Sequence, residues 1–277
     1  MTNDLSAVAI GAALTTRRLG RPALFFPTVA STNDVIHQHA AAGAGEGLLV
    51  VADEQTAGRG RLDRSWWAPP GTSLLISLLL RPPIPAGRAG QMTMCLGLAA
   101  VEGIEQTTGL RPALKWPNDL LLDGRKLGGI LTELRTTADR LEYAALGLGV
   151  NVNVEFDERR MTGDDREWAA IVRRRSLAET AASLSSALGR PVERLALLVA
   201  ILARCEAWYD RLLAGESLHR AWAARLDTLG RSVTATLPGG ALQGVATGVT
   251  AEGALLVRDE EGRVHMVWAG DIAPSGR

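Results

Sequence analysis

The stretch Gly47-Leu-Leu-Val-Val-Ala-Asp-Glu-Gln-Thr-Ala-Gly-Arg-Gly-Arg61 joins an apolar run to a segment rich in glycine and arginine. A second apolar run, Ser73-Leu-Leu-Ile-Ser-Leu-Leu-Leu80, follows shortly after it. Short apolar runs bounded by turn residues are typical of buried strands. The pattern therefore predicts a loop that connects two strands of a sheet.

The composition of this loop indicates an anion-binding site. Arg59, Arg61 and Arg64 lie close together in sequence, and each guanidinium group is a planar fork that matches carboxylate and phosphate oxygens. Gly58 and Gly60 allow the backbone to approach a ligand closely. The alternative is a set of ordinary solvated arginines, but the large apolar neighbours on both sides favour a functional loop.

The overall composition is that of a globular protein. The chain has 277 residues, of which 47% are hydrophobic and 22% are charged. Its 30 basic residues balance 30 acidic ones, so no overall field favours nucleic acid or an anionic membrane. No apolar run is long enough for a membrane span, and no signal-peptide pattern is present. These features predict a cytoplasmic protein without nucleic-acid or membrane partners.

The cysteines and histidines indicate neither a disulfide nor a metal centre. Cys95 and Cys205 lie far apart in sequence within apolar stretches, as is typical of buried reduced thiols. The four histidines do not share metal-ligand spacing with the cysteines, so we predict no side-chain metal ligands. The nucleophile elbow and the phosphate-binding loop motif are also missing.

Apolar periodicity predicts several helices. One extends from Ser31 to about Ala42, and a longer one extends from Ala86 to Thr108. Residues 176–226 have a helical pattern with breaks at Gly189–Pro191 and Gly215. The polar segment 159–167 predicts a mobile loop.

Strand signals occur in three places. Residues 113–133 contain three short candidates separated by tight turns, and residues 141–152 predict one more. After residue 229, four short apolar segments alternate with glycine-rich turns, a spacing that predicts a separate small β-barrel.

Two blocks within these strands carry unusual residues. In Lys115-Trp-Pro-Asn-Asp119, a lysine occurs in an apolar strand, where burial is costly unless the ammonium meets an anion. The alternative is a lysine that extends to the surface. The glycines of Lys126-Leu-Gly-Gly-Ile-Leu131 and Gly147-Leu-Gly-Val-Asn151 indicate close approach of a ligand or backbone, or only a bulge.

Together with Ser31-Thr32-Asn33 and Gln55–Arg61, these blocks resemble the biotin–protein ligases in order and spacing, from residue 28 to about residue 155. The resemblance implies an α+β fold. A mixed-sheet catalytic domain similar to class II synthetases and lipoate ligases would occupy residues 1–228, and a small Src-homology-3-like β-barrel would occupy residues 229–277.

The resemblance also implies a two-step reaction. Biotin and ATP give biotinyl-adenylate, and a lysine of a biotin carboxyl carrier domain of a carboxylase then takes the biotinyl group. Mg²⁺ is implied by the triphosphate chemistry. Biotin's carboxylate must approach a polyanion in this reaction, so cations in a partly dry site are required.

The family's roles are carried over block by block. Lys115 and Arg61 are the predicted catalytic residues, with Lys115 between biotin's carboxylate and the α-phosphate. The predicted biotin-binding residues are Ser31, Thr32, Asn33, Gln55, Gly58, Arg59, Gly60, Arg61 and Lys115. The predicted ATP- or adenylate-binding residues are Arg61, Arg64, Trp66, Lys115, Asn118, Lys126 and Asn151, with Trp66 covering the base.

The sequence departs from the family pattern at a few points. Gly128 stands where alanine is expected, and residues 155–175 match poorly. Members that double as repressors carry a DNA-binding domain before the Ser-Thr-Asn block, whereas only 30 residues precede it here, so we expect a single-function ligase. The alternatives are a lipoate or octanoate ligase, a non-catalytic biotin-binding regulatory module and, least favoured, a nucleic-acid binder.

Overall fold

A computed structural model describes residues 5–62, 64–138, 140–156, 177–237 and 240–274. The polar segment 159–167, which we predicted to be a mobile loop, lies outside the described residues.

The larger sheet contains seven strands: β1 (Ala23–Val29), β2 (Leu49–Gln55), β3 (Ser73–Leu80), β4 (Ala113–Lys115), β5 (Asp119–Leu122), β6 (Arg125–Thr137) and β7 (Arg140–Asn151). Their order is β1-β2-β3-β7-β6-β5-β4. β1 pairs parallel with β2 and the remaining neighbours pair antiparallel, so the sheet is mixed, as predicted. The arginine-rich loop connects β2 to β3.

Helices cover both faces of this sheet. Apolar side chains of α3 and α6 share one large core with the sheet, while α2 packs on a smaller cluster around Ile36 and Tyr143. Among the described residues, no helix is both long and apolar enough to cross a membrane. The helices are α1 (Ala7–Ala13), α2 (Thr32–Ala41), α3 (Gly90–Thr108), α4 (Leu177–Thr180), α5 (Leu184–Leu188), α6 (Arg194–Leu213) and α7 (His219–Ala223).

The second sheet is antiparallel and has five strands: β8 (Ser232–Leu237), β9 (Gly240–Val249), β10 (Leu255–Arg258), β11 (Val264–Val267) and β12 (Asp271–Pro274). Their order is β11-β10-β9-β8-β12. The sequence predicted four of these strands and missed β12, because an aspartate and a proline enclose only two apolar residues there. The domain boundary after residue 228 stays a prediction.

Two local expectations need refinement. The helix predicted from Ala86 begins as a 3-10 turn at Ala86–Arg88, and α3 itself starts at Gly90. Cys95 and Cys205 are buried and free, as predicted, although they are neighbours in space: the Cys95 thiol lies 3.7 Å from the carbonyl oxygen of Cys205. Burial and this contact raise the pKa of the Cys95 thiol, the contact with Cys205 contributing most.

At Gly103 the helices α3 and α6 pack too closely for a side chain. A Cβ added there would lie 2.6 Å from Cγ1 of Ile201. We expect Gly103→Ala to lower the free energy of unfolding by about 1–3 kcal/mol through overpacking. Gly11→Ala is the matched helical control, because no heavy atom lies within 4 Å of its added Cβ. Urea unfolding of both variants measures this, and equal stability would contradict the close packing.

Candidate active site

A cavity of about 370 Å³ lies where the first turn of α2, the arginine-rich loop, the β4–β5 turn, β6, β7 and β12 meet. Most of the predicted site residues line it together, although they come from separate blocks of the sequence. Those residues are Ser31, Thr32, Asn33, Gln55, Arg59, Gly60, Arg61, Arg64, Trp66, Lys115, Asn118 and Lys126.

Hydrogen bonds at the start of α2 order one end of the cavity. Oε1 of Gln55 accepts from the backbone N–H of Thr32 at 2.8 Å and from its hydroxyl at 3.0 Å. The amide NH₂ of Gln55 is left to act as a donor, since its oxygen is occupied. Ser31 is a buried residue, and its hydroxyl forms no capping hydrogen bond to α2. This end therefore offers neutral donors and acceptors rather than charge.

Asn33 was predicted to bind ligand, but its amide is already occupied by the protein. Its Nδ2 donates to Glu133 at 2.7 Å and to the carbonyl of Leu131 at 3.3 Å, and its Oδ1 lies 2.6 Å from the Ser77 hydroxyl. The side chain is only 2% exposed. These contacts make Asn33 a residue that fixes α2 against β3 and β6.

The three arginines of the loop have different partners. Arg59 forms a bidentate pair with Asp34 at 2.6 and 2.9 Å, which holds the pKa of that carboxyl below its usual value. Arg64 pairs with Asp271 of β12. Arg61 makes only longer contacts, at 3.4 Å, to Asn118 and to a backbone carbonyl, and burial lowers the pKa of its guanidinium.

Lys115 ends β4 as a half-buried residue, and its ammonium has no partner among the described residues. Lys126, by contrast, is held by Asp119 at 2.7 Å. These two are the lysines of the sequence, the other basic residues being arginines, and both line the cavity. Both lysine side chains of the sequence therefore lie at this cavity, and the Lys115 ammonium is the one that is available to bind an anion.

The Trp66 ring packs against β6 and β7 at positions that are occupied by glycines. A Cβ added to Gly149 would lie 2.6 Å from the indole, and one added to Gly129 would lie 3.6 Å from it. Lys126 lies 5.9 Å above the ring, and the buried indole Nε1 has no partner among the described residues. The glycines are therefore needed for the close approach of this ring.

Two predicted residues do not line the cavity. The backbone carbonyl of Gly58 accepts from Trp66 N–H at 2.8 Å, and a Cβ at Gly58 would collide with the Trp66 carbonyl, so this glycine shapes the loop. Asn151 donates to the carbonyl of Ala182 at 3.1 Å and is buried, so it anchors the segment before α5. A Cβ added to Gly128 of β6 would lie 2.6 Å from the carbonyl oxygen of Gly149 on the neighbouring β7, so this glycine is needed for the close pairing of the two strands.

Several site residues were missed by sequence reasoning. Ser77 lies 2.7 Å from the Thr32 hydroxyl, and a serine inside the leucine-rich run 73–80 was an available signal. Glu133 contacts Asn33, His37 and Arg59. Thr236 and Asp271 reach the cavity from the second sheet, and no local pattern indicates that long-range contact.

Comparison with known proteins shows which family this chain resembles. Residues 25–151 match the Biotin/lipoate A/B protein ligase family, and residues 228–273 match the Biotin protein ligase C terminal domain. The chain is 35% identical over 270 residues to the "Bifunctional ligase/repressor BirA" of Bacillus spizizenii, covering 97% of this chain and 78% of that protein. It is 32% identical over 248 residues to the "Biotin--[acetyl-CoA-carboxylase] ligase" of Mycobacterium tuberculosis, covering 87% of this chain and 85% of that protein.

Solved structures agree with this assignment. The biotin protein ligase from Aquifex aeolicus, determined in complex with biotin and ATP, superposes with a TM-score of 0.73 at 26% identity, covering 91% of this chain and 99% of that one. The chain belongs to the biotin protein ligase family. It is thus a ligase that forms a carbon–nitrogen bond.

The contact between Trp66 and Gly149 makes a testable prediction. We expect Gly149→Ala to displace the indole, because the added methyl group would overlap the ring. With the seven tryptophans labelled by ¹⁹F, the resonance assigned through Trp66→Phe should shift. Gly248→Ala is the strand control, since its nearest neighbour would be 3.7 Å away. An unmoved Trp66 resonance in Gly149→Ala would contradict the packing.

Proposed function

We propose that this cavity binds biotin and ATP side by side, forms biotinyl-adenylate, and delivers the biotinyl group to a lysine of a biotin carboxyl carrier domain. The observation that carries the proposal is that Lys115, whose ammonium has no partner in the described part of the chain, and the half-buried Arg61 line one cavity that also has a neutral polar end. The structure named above, of the relative from Aquifex aeolicus with biotin and ATP, supports the same substrates.

The first step requires a carboxylate to attack the α-phosphate of ATP. Two anions repel each other strongly in a site that excludes much of the water. Lys115 and Arg61 are the cavity's cations without a carboxylate partner among the described residues, so their charge is available to the reacting groups. We assign them the role of stabilising the charge that develops as the carboxylate–phosphate bond forms and pyrophosphate leaves.

Biotin's ureido ring fits the neutral end of the cavity. The ring is uncharged and carries both donors and acceptors, so it needs matched hydrogen-bonding groups rather than ions. The Ser31 hydroxyl, the Thr32 hydroxyl and the Gln55 amide are the groups that we assign to it. Arg59 and Gly60 would lie along the tail, and Asn33 supports this end from behind.

The nucleotide fits the opposite end. We assign the base to Trp66, whose ring lies close to the glycines of β6 and β7, and the phosphates to Arg64 and Lys126. Mg²⁺ typically binds one or two carboxylates together with phosphate oxygens. Asn118 and Asp119 line the cavity and are where we propose that the triphosphate-bound ion meets the protein.

The alternative functions have no comparable support. A lipoate or octanoate ligase shares the fold, but the matched C-terminal domain is that of biotin protein ligases. A purely regulatory biotin-binding module would not require the free Lys115. Pyrophosphate exchange measured with ATP and each acid in turn separates these candidates.

Lys115 gives the sharpest test of the chemistry. We expect Lys115→Gln to slow biotin-dependent pyrophosphate exchange by about two to three orders of magnitude, while biotin affinity falls much less. Lys115→Arg should restore the rate only in part, because a planar fork does not replace a compact ammonium. Arg111→Gln is the control, since it removes a charge from an exposed position near β4. Normal exchange in a folded Lys115→Gln protein would remove Lys115 from the mechanism.

The presence of only two lysines allows a second test by chemical modification. An amine-reactive ester should modify Lys115 faster than Lys126 in the free protein, because Asp119 holds the Lys126 ammonium at 2.7 Å. Biotin plus ATP should protect both. Mass spectrometry of the peptides gives the two rates separately. Modification of Lys115 that is indifferent to these substrates would place the ligands elsewhere.

A further inference from the structure

A second cavity, of about 210 Å³, adjoins the first. The two share Arg61, Pro117, Asn118 and Ile130 as lining residues, so they meet at the place assigned to the reacting carboxylate and phosphate. The second cavity extends from there between the first turn of α3 and the turn that precedes β10. The assigned biotin and nucleotide groups leave this space unused.

The lining of the second cavity suits a lysine side chain. Met94, Trp222 and Trp268 provide apolar walls for methylene groups. Aromatic faces also attract an ammonium group. Glu252 is exposed and is the one carboxylate among the described lining residues, while Arg61 is the one cation among them. An ammonium is thus favoured at the Glu252 end and disfavoured at the Arg61 end.

An exposed apolar stripe continues from the second cavity onto the protein surface. Trp268 is 61% exposed, Met266 is 60% exposed and Val264 is 53% exposed. They alternate along the chain at β11, so they lie on one face, and β11 is an edge strand of its sheet. Large exposed apolar side chains grouped in this way are typical of a protein-docking surface.

We propose that the second cavity is the passage by which the acceptor lysine reaches the adenylate, and that the stripe formed by Val264, Met266 and Trp268 is the surface on which the carrier domain docks. The inference rests on the proposed function. The stripe and the passage share Trp268, so a domain seated on β11 would present a lysine at the passage.

The passage also accounts for the loss of positive charge that the acceptor lysine must undergo before it can attack the adenylate. The incoming ammonium enters at the exposed Glu252 end and loses a proton to water as it approaches Arg61, whose positive charge lowers the pKa of an amine near it. The neutral amine then attacks the acyl carbon. The carbon–nitrogen bond forms, the bond from carbon to the phosphate oxygen breaks, AMP leaves with the electron pair, and the second amine proton passes to solvent.

The test separates the two steps of the reaction in the full-length protein. Biotin-dependent pyrophosphate exchange reports the first step. Transfer to a purified biotin carboxyl carrier domain reports the second, and trapping by hydroxylamine reports release of the acyl group to an acceptor that needs no docking. The variants are Trp268→Ala and Glu252→Lys. The matched controls are Val8→Ala, at an apolar position 83% exposed on α1, and Glu260→Lys, with the same charge change on the second sheet.

We expect Trp268→Ala to raise the carrier concentration for half-maximal transfer about tenfold or more, as for an aromatic hot spot. Exchange and hydroxylamine trapping should stay within about twofold. Glu252→Lys should slow transfer more than Glu260→Lys does. The proposal would be overturned if both variants transferred biotin as well as their controls do. It would also be overturned if hydroxylamine trapping fell as much as transfer to the carrier domain. Absence of exchange in the unaltered protein would instead overturn the proposed function.

Discussion

The cavity depends on the absence of side chains at two positions of β7. Gly147 and Gly149 point to the same face of this central strand, and an added Cβ would lie 2.7 Å from the Asn33 amide oxygen at the first and 2.6 Å from the Trp66 ring at the second. The start of α2 and the arginine-rich loop therefore both reach the floor of the sheet. Any side chain at either glycine would push one wall outward, and the neutral end and the aromatic end would no longer share one cavity.

Given that geometry, the distribution of carboxylates decides which cations are available for chemistry. Arg59 is held by Asp34, and Lys126 is held by Asp119. Arg64 is held by Asp271 in the same way. Ion pairs of this kind fix the position of a side chain more than they stabilise the fold. Among the described residues that line the cavity, Lys115 and Arg61 remain without a carboxylate partner, and Arg61 lies at the junction of the two cavities.

Sequence reasoning succeeded where a residue was costly in its context. A lysine in an apolar strand and glycines inside strands both need an explanation, and each of these blocks lies at the cavity. It did not reveal the contacts that Asn33, Gly58 and Asn151 make within the protein, and their predicted contact with ligand stays a prediction. Long-range partners such as Glu133 and Asp271 were not predicted from the sequence, because no local sequence pattern marks a carboxylate in a strand as part of a site. The spatial proximity of the two cysteines was hidden for the same reason.

The second sheet makes direct hydrogen bonds with residues that line the first cavity. The Trp116 indole donates to the carbonyl of Gly253 at 2.9 Å, and Arg61 donates to the carbonyl of Gly270. All these contacts fall on the phosphate side of the cavity, whereas the neutral end is built from the larger sheet and α2. Because the passage also lies between the two sheets, a shift of the second sheet would alter the position of Arg61 and the width of the passage together. With the roles proposed above, the second sheet would affect the activation of the acid and the access of the amine, and much less the recognition of the ureido ring.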